Sequence, residues 1–210
     1  MLTRIVLAGC AALLLSGCAL NPFGTSQASA PAASAVVTSP PVNDPRVAAL
    51  TGAGVTALTA ATANSYMDQQ EAELRAQLQN SGVTITRAGE HIALNLPANL
   101  TFDADKAVVK SSFSATVATI GAILKKYDKS IVDVYGYTDS QGAPETNKDL
   151  SQRRAVGVAT VLANQGADQR RFFIQGRGAA DPIASNATEV GRAQNRRVEI
   201  QISPLVGATG

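Results

Sequence analysis

Hydrophobic and polar positions along the 210-residue chain fall into blocks with different periods. Residues 5–15 are almost wholly apolar, whereas 19–44 is rich in Ala, Ser, Pro and Thr, has no period, and runs into "SPPVNDP" at 39–45. That composition predicts a disordered tether. Residues 47–67 carry no charge; Ala49, Ala53, Ala57 and Ala61 recur every fourth position, as do Ala48, Gly52, Thr56 and Ala60. With Asp44 as N-cap and Pro45 in the first turn, this block predicts a helix whose small-residue stripes admit close packing. A soluble Ala-rich helix and packing between copies of the chain both fit the pattern. From 67 to 79 the pattern is charged and helical, with Glu71 and Arg75 four apart, Leu74 and Leu78 on one side, and Gly82 as the expected cap. "VTITRAGEHIALNL" (83–96) alternates about Ala88 and Gly89, a hairpin signal. Phe113, Val117, Ile120, Leu124 and Tyr127 then mark an amphipathic helix, and "SIVDVYGY" (130–137) a buried strand. A second helix is expected over 145–165, capped by Gly166, with Leu150, Val158, Val161 and Leu162 as its apolar contacts. "RRFFIQGRG" (170–178) and "NRRVEIQIS" (195–203) read as the last two strands. Strands alternating with helices, then two late strands, predict an α+β sandwich, βαβαββ after the hairpin, with helices on one face of a mixed sheet.

Charge adds little to this picture. A net charge of +2 with 16% charged residues lacks the basic footprint of nucleic-acid binding, so no nucleic-acid partner is expected. His91, the single histidine, has no Ser or Cys partner motif and reads as a surface or hydrogen-bonded residue. Neither metal-ligand spacing nor a carboxylate dyad is present, so the expectation is no metal, no cofactor and no enzymatic turnover. At the N-terminus, Arg4, the apolar run and small residues before a cysteine predict a secretion signal over 1–17, too short to cross a bilayer, which needs about 20 apolar residues. "LSGC" (15–18) resembles the bacterial lipobox, which implies lipid modification of Cys18, cleavage before it, and, with Ala19 rather than Asp next, the outer membrane. "LAGC" (7–10) fits the same pattern but leaves only a stub of apolar segment, which favours Cys18. Both cysteines lie in this region, so a structural disulfide is not expected. The expected organisation is signal (1–17), lipidated tether (18–44), Ala/Thr-rich helical segment (45–81), globular domain (82–203) and tail (204–210).

The candidate chemistry sits in two strings, "GYTDSQG" (136–142) and "NKDLSQRRA" (147–155). Asp139 follows the buried strand. Asn147, Ser151 and Arg154 lie at i, i+4 and i+7 and share one helix stripe, while Arg153 is rotated by about 100° into solvent. On spacing alone, a surface ion pair between Asp139 and Arg154 is the favoured reading, worth about 0–1 kcal/mol; two jaws of a site for a zwitterion are the alternative. In "RAQNRRVEI" (192–200), strand alternation puts Val198 and Ile200 on one face and Arg197 and Glu199 on the other, with Arg197 bordering the site and no aromatic platform for single strands.

Five strings, "FDADKA" (102–107, expected on the first strand), "GYTDSQG", "NKDLSQRRA", "GRG" (176–178) and "GRAQNRRVEI" (191–200), stand in the order that resembles the OmpA-like peptidoglycan-binding domain of Gram-negative bacteria, over about 94–202. "YMDQQEAELRAQL" (66–78) and the hairpin further resemble the YiaD group of outer-membrane lipoproteins. The resemblance implies a periplasmic domain binding the diaminopimelate of peptidoglycan. Asp139 would take the ammonium and Arg154 the carboxylate through two parallel N–H donors, with Asn147 between them and Thr138 and the loop backbone as further donors. It implies a tether between outer membrane and wall; an oligomeric or pore-associated assembly built on the 47–67 stripe is the alternative.

Overall fold

The computed structural model describes residues 44–207; the expected signal, Cys18, the tether up to residue 43 and the tail's last three residues lie outside the described residues. Asp44 accepts the Arg46 backbone N–H at 2.8 Å and opens α1 (Pro45–Gly52), with proline in the first turn as expected. The helix expected to run through 67 stops there. Gly54 takes φ +91°, and Leu58 donates its N–H to the Leu205 carbonyl at 2.7 Å in a short parallel bridge, before α2 (Ala60–Gln77) begins. Ala49, Ala53, Ala57 and Ala61 therefore share no helix face, which corrects the small-residue stripe. Gly82 is not the cap either: α2 ends at Gln77 with Leu78 as its C-cap.

β1 (Thr84–Ala88) and β2 (His91–Pro97) form the expected hairpin, with Ala88 paired to His91 so that Gly89, at φ +59°, and Glu90 make the turn. α3 (Ala98–Thr101), α4 (Ser111–Lys126), β3 (Ser130–Tyr137), α5 (Pro144–Asn164), a 3₁₀ turn (Gln169–Arg171), β4 (Phe172–Gly178), α6 (Glu189–Asn195) and β5 (Arg197–Pro204) follow. "FDADKA" is not strand: β2 ends at Pro97, and 103–106 loops out beyond α3. The sheet runs β1-β2-β5-β3-β4, with β3 and β4 parallel and every other pair antiparallel. This is the expected α+β architecture.

Period-2 alternation sorts the sheet's faces. Leu94, Leu96, Val132, Val134, Val198 and Ile200 enter the core, where Val117, Ile120 and Leu124 of α4, Val158 and Leu162 of α5, and Met67 and Leu74 of α2 meet them. α1 lies on the opposite face, with Leu50 packed on Ile131 and Leu205 and Arg46 donating to Asp133 at 2.5 Å. Two expected boundaries move accordingly. The core reaches back across residue 82 into α2, and the tail begins after Pro204 and Leu205, both buried.

Candidate functional site

β3 and β4 run parallel and end together at Tyr137 and Gly178, and the chain beyond their carboxyl ends forms a cavity of about 530 Å³. Two glycines decide how close α5 comes to that end. A Cβ on Gly136 would collide with the Ser151 carbonyl oxygen, and one on Gly176 with the Gln152 amide and Ser151 Oγ. With no Cβ there, α5 rests on the strand backbones. Ser151 Oγ accepts the Gly178 N–H at 2.9 Å, and Gln152 Oε1 accepts the Gly176 N–H at 2.6 Å. This pins the middle of α5, so Asn147 one turn before Ser151 and Arg154 three residues after it both line the cavity.

The 138–142 loop is held from several sides. Thr138 donates its N–H to the Gly178 carbonyl at 2.8 Å. Asp139 Oδ1 accepts the Gln141 N–H at 3.0 Å, and Asn147 Nδ2 donates to the carbonyls of Gln141 and Asp139 at 2.8 and 3.4 Å. Asn186 Oδ1, itself held by Asn195, accepts the Ser140 N–H at 3.2 Å. Gly142, at φ +90°, closes the turn. Thr138, Asp139, Asn147 and Arg154 are all buried, and all four line the cavity.

Arg154 and Asp139 do not pair with each other. Arg154 Nε donates to the Lys106 carbonyl at 3.0 Å, and its guanidinium stacks 5.2 Å over the buried Phe102 ring. Its two terminal nitrogens have no hydrogen-bond partner among the described residues. Burial pulls the Arg154 pKa below the ordinary arginine range, with Asp105 opposing the shift. Asp139 Oδ2 instead accepts from Arg196 Nη1 at 2.6 Å, and Arg196 Nη2 reaches Glu189 at 2.7 Å. These two acids, Glu189 first, hold Arg196 above its usual range. Thr138, a lining residue of the same cavity, keeps its Oγ1 buried without a hydrogen-bond partner. An orphaned hydroxyl, an arginine offering a fork and a carboxylate with lone pairs left over make a pocket suited to a small ligand bearing both charges.

Around the cavity the structure agrees with the sequence reading at one arginine and departs from it elsewhere. Arg153 sits on the far side in an exposed i,i+4 pair with Asp149, as expected of a solvated charge. Arg197 does not border the site: it is buried, bonded to Glu199 at 2.7 Å and stacked 3.8 Å over the Tyr137 ring. The arginine of that string that lines the cavity, beside Arg154, is its neighbour Arg196, which precedes β5 and so escapes the strand's alternation. Sequence reasoning also missed Phe102 and Asp105 as cavity residues, although both stand in "FDADKA"; the expectation of a strand there hid the loop. His91 lies on β2 with Nδ1 2.8 Å from Ser203 Oγ, away from the cavity. Among the described residues no group of three or more His, Cys, Asp or Glu could hold a metal ion, and no helix is long and apolar enough to cross a membrane.

The family model described as OmpA family matches residues 101–196, which carry most of this cavity. The chain is 51% identical over 140 residues to the Escherichia coli K12 protein named "Probable lipoprotein YiaD", covering 67% of this chain and 64% of that protein. It thus spans just under two thirds of that relative's length. It is 44% identical over 80 residues to "Peptidoglycan-binding protein ArfA" of Mycobacterium bovis, covering 38% of this chain and 24% of that one. Among solved structures, the cell wall anchor of the T6SS from Pseudomonas aeruginosa superposes with a TM-score of 0.58 at 31% identity, over 64% of this chain and 96% of that one.

Proposed function

We propose that the chain, whose residues 101–196 match the OmpA family, binds peptidoglycan non-covalently by gripping the free ammonium and carboxylate of diaminopimelate. Asp139 receives the ammonium, Arg154 holds the carboxylate through its two terminal nitrogens, Thr138 Oγ1 adds a hydrogen bond, and Asn147 keeps the 139–141 loop in place. The observation that carries this reading is that Asp139 and Arg154 line one cavity without pairing, each bound elsewhere. A surface ion pair would have joined them. Relatives named as a peptidoglycan-binding protein and a cell wall anchor support the ligand class.

Recognition without turnover follows from this assignment. Charge-assisted hydrogen bonds contribute about 1.5–3 kcal/mol each while association costs several kcal/mol, so one site binds in the micromolar to millimolar range. Many copies facing one polymer raise the effective affinity. In our reading the copies are held at the outer membrane by lipid on Cys18, with the domain facing the periplasm, and the chain tethers membrane to wall. Likeness to a protein named as a lipoprotein supports the anchor.

Co-sedimentation with purified sacculi tests the reading. Wild type and Arg153→Ala are expected to pellet, and Asp139→Ala and Arg154→Ala to stay in solution while keeping the wild-type circular dichroism spectrum. Failure of folded wild type to pellet, or equal pelleting by all four, would overturn it.

A further inference from the structure

The site is asymmetric: Arg154 has two open terminal nitrogens, whereas each Asp139 oxygen already accepts one hydrogen bond, from Gln141 N–H and Arg196 Nη1. An ionised carboxylate has roughly four lone-pair positions, so an incoming ammonium can join Asp139 without displacing Arg196. Arg196 itself is fixed at its outer end by the exposed Glu189 and does not depend on Asp139 alone for its position.

We propose that Arg196 sets the charge selectivity of this site, admitting zwitterions and rejecting plain cations; the proposal rests on the wall-binding reading above. Ionisable residues around the cavity are three acids, Asp103, Asp105 and Asp139, and three bases, Lys110, Arg154 and Arg196. Asp103 lies 3.5 Å from Lys106 and 3.8 Å from Lys110, and Asp105 acts on Arg154, which leaves Arg196 as the counter-charge of Asp139. A ligand end carrying both charges enters this balanced site and leaves it balanced. An amine without a carboxylate adds a cation that nothing offsets, next to two arginines. Removing Arg196 leaves three acids against two bases, and the site becomes one that attracts amines. Selectivity of this kind comes from a repulsive element as much as from an attractive one. Arg196 is thus a specificity-determining residue, while Asp139 and Arg154 supply the contacts.

The test compares binding of meso-diaminopimelate and of 1,5-diaminopentane, its doubly decarboxylated counterpart, to the full chain by isothermal titration calorimetry. Wild type is expected to prefer diaminopimelate, and Arg196→Gln to lower the ratio of the two affinities by about tenfold or more, chiefly by gaining affinity for the diamine. Arg196→Lys keeps the charge and is expected to hold the ratio within about threefold of wild type. Wild type that binds diaminopimelate, together with an unchanged ratio in the glutamine variant, overturns the role of Arg196 alone. Wild type that binds no diaminopimelate overturns the wall-binding reading, and this proposal with it. Should the glutamine variant not fold, Glu189→Gln at the exposed end carries the test. Arg196 is then left to Asp139 alone, so diamine binding weakens further; stronger or unchanged diamine binding overturns the proposal.

Discussion

At the scale of single residues, the site depends on atoms that are missing. Gly136 and Gly176 have no Cβ where Ser151 and Gln152 press on the strand ends, and both Asn147 and Arg154 take their positions from that contact. Gly136→Ala is therefore expected to push α5 off β3. Overpacking of this kind costs about 1–3 kcal/mol, so thermal unfolding should show a lowered Tm, and sacculus binding should fall even at temperatures where the variant is folded. A Tm loss with full binding would mean that α5 relocates without moving the jaws. Why the site was only partly legible follows from the same geometry. Asn147 and Arg154 share a readable helical spacing, but spacing alone favoured an ion pair with Asp139; it was the resemblance carried by "GYTDSQG" and "NKDLSQRRA" that pointed to Asp139, Asn147, Thr138 and Arg154 together, and the structure brings them to one cavity. Arg196 could not: which of two adjacent arginines faces the cavity depends on where β5 starts, a register set by pairing with β2 and β3 across the sheet. The orphaned Thr138 hydroxyl is likewise a tertiary fact, with no mark in the sequence.

Among the elements, α1 and α2 separate what local pattern fixes from what packing decides. Alternation along the strands and the 3.6-residue stripe of α4 were readable because each buries one face against one neighbour. The break at 53–59 was not. The four-residue spacing of small residues ran across Gly52 and Gly54, although Gly54, at φ +91° just past the C-cap, is where the helix ends, and the chain leaves it to pair Leu58 with Val206, a residue that sequence pattern assigned to the tail. α1 then crosses to the sheet face opposite the other helices, held by Leu50 on Ile131 and Leu205 and by Arg46 on Asp133. These contacts lie at the amino end of β3, whereas the cavity lies beyond its carboxyl end. Leu50→Ala is accordingly expected to destabilise by about 2–5 kcal/mol, as buried leucine truncations do. Hydrogen exchange should speed up over 45–58 while sacculus binding stays at the wild-type level. Loss of binding in a folded Leu50→Ala protein would show that α1 supports the site from a distance.

For the whole molecule, the question is where the folding unit begins. A boundary at Gly82 matches the start of the hairpin, but the core does not respect it. Met67 and Leu74 are fully buried in the same apolar cluster as α4 and the sheet, Leu78 joins them, and the family match itself starts only at 101. α2 is tied down by more than apolar contact. Tyr66 Oη accepts the Lys129 N–H at 2.9 Å and its ring meets Tyr127 edge-on at 5.4 Å, while Glu73 bonds Lys126 and the Tyr127 hydroxyl. A fragment starting at 82 would expose the core side of β2 and one flank of α4 to water, and each large apolar side chain uncovered forfeits about 1.5–3 kcal/mol. Losses of that size against a typical total of about 5–15 kcal/mol leave a marginal domain. Residues 44–210 are expected to melt in one cooperative transition, whereas 82–210 should bind a hydrophobic dye and melt broadly at lower temperature. Identical sharp melting of the two fragments would show that α2 is an appendage and that the wall-binding unit is the shorter one. The contrast has a functional side, because sacculus binding by the shorter fragment would be lost through unfolding even with Asp139 and Arg154 intact. The proposed wall binding is therefore best measured on protein that retains α2.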